Sequence, residues 1–212
     1  MFRYLASQTK TNICCHVDHG YTLDECYEGI DSGFTSVMFD GSKLTLKENI
    51  KISKKIASRA HKYNISIEGE IGFVGYDNGK ISEGTNIEDA VTFANKSNID
   101  AMAISVGNTH LQTSKKASID FNKINLIEAK TKIPLVLHGS SGIPVEQRKK
   151  LARKTKVAKL NIGTEIRMTF GEALRKNLKN NPKTYDRLQL LKPTIKDLTK
   201  VTKKIIKQIG PN

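Results

Sequence analysis

Three of the five histidines in this 212-residue sequence, His19, His110 and His138, stand where short β-rich runs give way to loops. Asp18, Asp40 and Glu70 stand at the same kind of position. Three imidazoles with an open fourth position suit catalytic zinc or a similar divalent ion. A carboxylate beside such an ion can exchange protons with a substrate. One histidine at a strand end is more often a hydrogen-bonded structural residue; three of them, accompanied by three carboxylates, turn the balance toward a metal site. His61 lies in a lysine-rich helical stretch and reads as a surface residue, and His16, alternating with Asp18, reads as supporting structure. Cys14, Cys15 and Cys26 are an odd set without C-x-x-C spacing. That argues against a disulfide framework or thiolate zinc, and for a reducing, cytoplasmic setting.

A second signal lies in two glycine-containing turns. His138-Gly139-Ser140-Ser141-Gly142 is free of bulky side chains, so backbone N–H groups can approach an anion. Asn161-Ile162-Gly163-Thr164 leads into a helical pattern, whose N-terminus favours negative charge. Either turn alone is usually just a turn. Two of them after the last two strands, one starting at a candidate ligand, point to a phosphorylated substrate.

The elements that must position these residues alternate. Strands are expected at 12–17, 36–39, 66–70, 101–106, 135–138 and 158–162. Helices are expected at 23–32 after Thr22, 46–63 after Thr45, 87–97 after Asn86, 121–130 after Asp120, 145–155 after Pro144 and 166–178. A last helical region, 185–209, is interrupted at Pro193. On the second helix Ile50, Ile52, Ile56 and Ala57 mark the apolar side. Such alternation predicts parallel strands with right-handed crossovers, and strand cores such as Leu135-Val136-Leu137 suit a sheet covered on both faces. An open doubly wound sheet and a (β/α)8 barrel both fit. The G-x-G-x-x-G signature is absent, which weakens the dinucleotide-binding version. Reactive residues at nearly every strand end favour the barrel, because a barrel gathers all its strand ends at one rim.

Composition sets the outer bounds. With 38% hydrophobic and 26% charged residues the chain is neither disordered nor fibrous. No apolar run approaches the ~18 residues that span a bilayer, and the first ten residues show no secretion signal. Residues 148–212 hold 19 Lys+Arg against 4 Asp+Glu, whereas residues 1–147 hold 16 against 17. The basic third could meet nucleic acid, an anionic partner or phosphate groups, which makes a basic anion- or nucleic-acid-binding protein an alternative reading. Its lysines sit at helical spacing with few aromatics between them, which favours a solvated helical face instead.

Five ordered motifs resemble class II ketose-bisphosphate aldolases, including the fructose- and tagatose-bisphosphate enzymes. They are His16-Val17-Asp18-His19-Gly20, Ser36-Val37-Met38-Phe39-Asp40-Gly41-Ser42, Glu68-Gly69-Glu70-Ile71-Gly72, Leu137-His138-Gly139-Ser140-Ser141-Gly142 and Lys159-Leu160-Asn161-Ile162-Gly163-Thr164-Glu165. The likeness runs from about residue 5 to about residue 178. It implies a (β/α)8 barrel, zinc, a phosphosugar substrate and a homo-oligomer, dimer or tetramer. By position, His19, His110 and His138 match the zinc ligands, and Asp18 matches the acid/base acting at the C4 oxygen. Asp40 and Glu70 match residues that bind or orient a second cation, divalent or monovalent. Gly139, Ser140, Ser141, Asn161, Gly163 and Thr164 match the substrate-binding turns that hold dihydroxyacetone phosphate. Arg167 matches an arginine that in some members meets the other phosphate. The implied reaction is aldol cleavage of a ketose 1,6-bisphosphate to dihydroxyacetone phosphate and glyceraldehyde 3-phosphate.

Four departures accompany the likeness. A complete barrel takes ~250 residues and eight strands, while six strands are expected here. The chain is therefore expected to be one domain, 1–212, lacking the first two β/α units, with a basic helical extension at 180–212. On that expectation an inactive or split aldolase fragment is the alternative to an active enzyme. Leu111 stands where relatives have glycine. The loop 75–79 offers Asp77 where relatives are more acidic. Gly163 replaces an aspartate of some fructose-specific relatives, which leans toward a tagatose type or a relaxed preference.

Overall fold

The computed structural model describes residues 2–76, 79, 82 and 84–210. In chain order the elements are α1 (Phe2–Ser7), β1 (His16–Gly20), α2 (Leu23–Asp31), β2 (Ser36–Phe39), α3 (Leu46–Lys62), β3 (Ser66–Ile71), β4 (Gly75–Tyr76), α4 (Ile87–Ser97) and β5 (Ala101–Ile104). Then come β6 (Thr109–His110), α5 (Phe121–Lys130), β7 (Leu135–Leu137), a 3₁₀ turn (Ser140–Gly142), α6 (Val145–Lys154), β8 (Val157–Leu160), α7 (Thr164–Asn180), α8 (Arg187–Leu191) and α9 (Thr194–Ile209).

The main sheet has the order β1-β2-β3-β5-β7-β8, and its registered pairs run parallel. That order never reverses. A doubly wound sheet reverses at its switch point, whereas a walk in which each strand joins its predecessor is the barrel sequence. The chain thus has the α/β fold of the barrel class, with six parallel strands in the main sheet. β4 and β6 form a separate two-stranded parallel pair that the sequence did not announce.

Two compact units divide the chain. The first comprises Met1–Phe73, Ser82–Val106 and Asp120–Val136; the second comprises Val74–Ile81, Gly107–Ile119 and Leu137–Asn212. The first unit is a sheet covered by helices. Val37, Met38 and Phe39 of β2 are fully buried, as are Ile56 and Ala57 of α3, Phe93 of α4 and Ile124 and Ile127 of α5. Thr22 and Thr45 close capping boxes with Glu25 and Glu48, and Asn86 and Asp120 cap α4 and α5. These caps satisfy N–H groups that the first helical turn leaves open. The second unit buries Leu137, Ile143, Leu151, Val157 and Ile205, while α7 has no buried residue.

Most elements stand near their expected places, and β1 is the main correction. It spans His16–Gly20 rather than 12–17, because the strand continues through Asp18-His19-Gly20 as a bulge. The polar triplet reads in the sequence as a strand end. The last helical region is two helices, α8 and α9, with Pro193 at the start of the second. Among the described residues no helix is long and apolar enough to cross a membrane.

Candidate active site

In the first unit the bulge decides where two reactive residues go. His16 registers with Ser36 and Val17 with Val37, but the next pair is Gly20 with Phe39. Three steps on β1 match two on β2. An extra residue interrupts the strict alternation of side chains and re-aims them. His19 takes up the distortion with φ of 60°.

The His19 ring then meets Asp40, with 2.9 Å between Nδ1 and Oδ2. The other carboxylate oxygen of Asp40 accepts from the Ser42 hydroxyl at 2.6 Å and the Ser42 N–H at 3.1 Å. Burial works to lower the His19 pKa, but the Asp40 hydrogen bond and the charges of Glu70, Asp18 and Asp40 outweigh it, so the net shift is upward. Burial works to raise Asp40; the bonds from His19 and Ser42 outweigh it and hold that carboxyl below its ordinary value. Asp18 itself is exposed on β1. One donor atom each from His19, Asp40 and Glu70 lie within 4.8 Å of one another, and Glu70 is only 1% exposed. One nitrogen and two carboxylates, closely grouped and shielded, fit a divalent cation.

Glu70 is held from behind by a residue that sequence reasoning missed. Asn49, fully buried on α3, donates its Nδ2–H to the Glu70 carbonyl at 2.8 Å and accepts from Ser53 Oγ at 3.2 Å. The buried stripe of α3 is Asn49, Ser53, Ile56, Ala57 and Ala60: Ile56 and Ala57 lie on it as expected, whereas Ile50 and Ile52 are only half-buried. The 3.6-residue spacing of that stripe was the available signal. A Cβ at Gly41 would stand 2.2 Å from Asn49 Oδ1, so the Asp40-Gly41 turn needs glycine there.

In the second unit β6 ends at His110, and β7 leads into His138. The two rings lie edge to face at 5.7 Å between centroids, and Tyr76 packs on His110 at 5.1 Å. The Asn161 side-chain nitrogen is 3.1 Å from His138 Nδ1. Asn108, 1% exposed and not singled out in the sequence, donates to the His138 carbonyl at 3.0 Å. Gly139 is left-handed with φ of 61°, and a Cβ there would come within 2.3 Å of the Thr109 carbonyl oxygen.

The turn after Gly139 is built inward and outward. Ser140 donates its N–H to the Asn161 carbonyl and its hydroxyl to the Leu137 carbonyl, so this fully buried residue shapes the turn. Ser141 Oγ accepts the Glu165 N–H at 3.1 Å, tying the turn to the start of α7. Gly163 precedes α7 without a side-chain cap, and Arg167, exposed, donates to Thr164 Oγ1 at 3.3 Å. This leaves a helix start with small residues around it, which suits an anion. Leu111 is also left-handed, with φ of 56°, and is 55% exposed. Asp77 lies outside the described residues. Of the expected zinc ligands, His19 belongs to the first unit and His110 and His138 to the second.

The model of the class II fructose-bisphosphate aldolase family matches residues 1–212. A 6-phospho-5-dehydro-2-deoxy-D-gluconate aldolase of Shouchella clausii is 36% identical over 201 residues, which are 93% of this chain and 68% of that protein. A fructose-bisphosphate aldolase of Staphylococcus aureus is 33% identical over 202 residues, covering 93% of this chain and 70% of its own length. Among solved structures, the YdjI aldolase of Escherichia coli K12 superposes with a TM-score of 0.80 at 26% identity, over 98% of this chain and 72% of that one. Sequence likeness over nearly all of the chain and the unreversed strand order agree: this chain belongs to the class II fructose-bisphosphate aldolase family.

Proposed function

We propose that the chain catalyses aldol cleavage and condensation of a phosphorylated ketose, releasing dihydroxyacetone phosphate. A fructose or tagatose 1,6-bisphosphate would give glyceraldehyde 3-phosphate as the other product. The observation that carries this reading is the grouping of the His19, Asp40 and Glu70 donors within 4.8 Å on adjacent strands. His19, His110 and His138 are the ligands we assign to a zinc or similar divalent ion. When bound, that ion supplies Lewis-acid polarisation of the ketone and offsets developing negative charge.

The protein's own residues do the rest. The Asp18 carboxylate accepts the proton of the C4 hydroxyl as C4 becomes an aldehyde. The electron pair of the C3–C4 bond passes into the ketone half, and condensation runs these steps backward. Asp40 fixes the orientation of the His19 ring through Nδ1, the kind of contact that orients a ligating imidazole. Asp40 and Glu70 also offer a second cation position. Gly139, Ser141, Asn161, Gly163 and Thr164 receive the phosphate of the three-carbon half, with Ser140 shaping their turn. Arg167 meets the anionic group at the far end of the substrate.

A second substrate is favoured by the relatives. In 6-phospho-5-dehydro-2-deoxy-D-gluconate, the substrate that several relatives are named for, the ketone neighbours the phosphate. Cleavage there releases the same three-carbon phosphate, and the other half carries a carboxylate in place of a phosphate. An exposed arginine such as Arg167 can serve either anion. The test supplies zinc-loaded protein with each of the three substrates and follows triose phosphate through a coupled dehydrogenase. Activity that chelation removes and zinc restores is expected with at least one of them. Absence of triose phosphate from all three would overturn the reading. By the same family likeness we assign a cytoplasmic homo-oligomer, whose size sedimentation would report.

A further inference from the structure

Arg148 on α6 is the largest fully buried side chain among the described residues. Its Nη2 donates to the Ser141 carbonyl at 2.7 Å and to Glu165 Oε2 at 2.7 Å. Glu165 in turn gives its backbone N–H to Ser141 Oγ at 3.1 Å and receives Lys115 Nζ at 2.9 Å. These bonds close a ring through three elements: the 3₁₀ turn, α6 and the first turn of α7. Arg148 Nε and Nη1 have no hydrogen-bond partner among the described residues. A buried arginine with two idle donors is an expensive way to fill space, since a methionine would pack there without stranded polar groups. Its use therefore lies in what it holds.

We propose that Arg148 is a positioning residue for anion binding at the Ser141 turn and the α7 start, an inference that rests on the phosphate-binding role proposed above. Two groups beside that cradle would repel a phosphate: the Ser141 carbonyl oxygen and the Glu165 carboxylate. Arg148 binds both from the interior. The carbonyl is turned toward the buried guanidinium, which leaves the donor side of the turn for a ligand. The Glu165 charge is offset by Arg148 and Lys115 before a phosphate arrives. Burial alone would raise the Glu165 pKa; the two cations outweigh it and keep the group ionised and paired. Glu165 is consequently a repulsive charge that the fold has to restrain, next to residues that need an incoming anion.

The test measures binding of inorganic phosphate to the full chain by calorimetry, in wild type and three variants. Arg148→Met should weaken binding about tenfold, because it frees the Ser141 carbonyl and the Glu165 charge together. Glu165→Gln should tighten binding several-fold, since the repulsive charge is gone and Arg148 stays. The double variant should bind more tightly than Arg148→Met alone. A purely structural arginine would give no recovery in the double variant, because the loss in Arg148→Met would not pass through the Glu165 charge. Should Arg148→Met fail to fold, Glu165→Gln still decides: weaker or unchanged phosphate binding overturns the proposal. Wild-type binding with no response to any variant overturns it while leaving the phosphate cradle intact. No phosphate binding by the wild type overturns the cradle, and this inference with it.

Discussion

The two units prepare for chemistry in opposite ways. In the first, the reactive atoms belong to long side chains, His19, Asp40 and Glu70, carried on neighbouring strands and steadied by one bulge and one buried asparagine. In the second, the glycine-containing turns at 139–142 and 161–164 offer mostly backbone, and the side chains around them work as props. A side-chain site depends on charge and titration, so its weak points are single functional groups. A backbone site depends on shape, so its weak point is any added atom. Single substitutions separate these two modes.

The largest effect should come from Asp18, an exposed carboxylate of the first unit. Asp18→Asn removes the proposed proton acceptor and keeps its volume, and should lower kcat about 10²–10⁴-fold. Because Asp18 is not among the proposed ligands, zinc content by atomic absorption should stay unchanged. A parallel loss of zinc would mean that the residue holds metal.

Next comes a change of shape in the second unit. Gly139→Ala puts a methyl group 2.3 Å from the Thr109 carbonyl oxygen in a left-handed backbone, and a backbone atom cannot swing aside. The expected destabilisation is about 3 kcal/mol in urea unfolding. The contrasting case is Gly163, where a Cβ would meet only the guanidinium tip of the exposed Arg167 side chain, at 3.0 Å, which can swing away. Gly163→Ala should therefore cost clearly less. Equal costs at the two positions would contradict a backbone-limited site.

Asp40→Asn tests the side-chain mode again at smaller scale. The amide keeps a partner for His19 Nδ1 but drops the charge that raises the imidazole's basicity. Metal affinity should fall about 10–100-fold, read by competition with a chromogenic chelator. Inorganic phosphate binding should not change.

What the sequence made legible follows the same division. Residue type announces side-chain chemistry: three histidines and three carboxylates at strand ends could be picked out one by one, and Thr22, Thr45, Asn86 and Asp120 announced their helix starts. The bulge at Asp18-His19 was hidden because it depends on the register of β1 against β2, a pairing between residues about twenty positions apart. Asn49 was hidden for a different reason. A polar residue in a helix is read as solvated until the buried stripe is known, and the stripe runs through Asn49 and Ser53 rather than Ile50 and Ile52. Arg148 lies in a run of basic residues, Arg148-Lys149-Lys150, of which only it is fully buried. Charge counting treats the three alike.

Acid titration should expose Glu165 among the many carboxylates. Its folded pKa is lowered, so the stability it contributes is complete above its unfolded value of about 4.3 and is lost as pH falls through the lower folded value. Glu165→Gln lacks this dependence. Wild type should be the more stable protein at pH 7, by about 1–3 kcal/mol because Glu165→Gln leaves the fully buried Arg148 without its charge partner, and the gap should narrow at pH 3. A gap independent of pH would mean that the carboxylate is not paired in the folded state.

The smallest expected effect concerns Leu111, where two modest terms oppose each other. A left-handed non-glycine residue costs about 1–2 kcal/mol, and at φ of 56° Leu111 carries that cost. Its side chain is more than half exposed, so the packing it contributes in return is small. Glycine would remove the backbone cost but enlarge the conformational freedom of the unfolded chain, worth about 0.5–1 kcal/mol in the other direction. Leu111→Gly should therefore stabilise by about 0.5 kcal/mol, a rise of a few degrees at most in Tm. The same substitution bears on the backbone mode, because Leu111 directly follows His110, whose backbone nitrogen would stand 3.0 Å from a Cβ at Gly139. If phosphate binding also tightens in Leu111→Gly, the strained leucine narrows the approach to the backbone donors. If stability rises and phosphate binding stays constant, the strain is a local property of the turn at 107–111 and the cradle begins at Gly139.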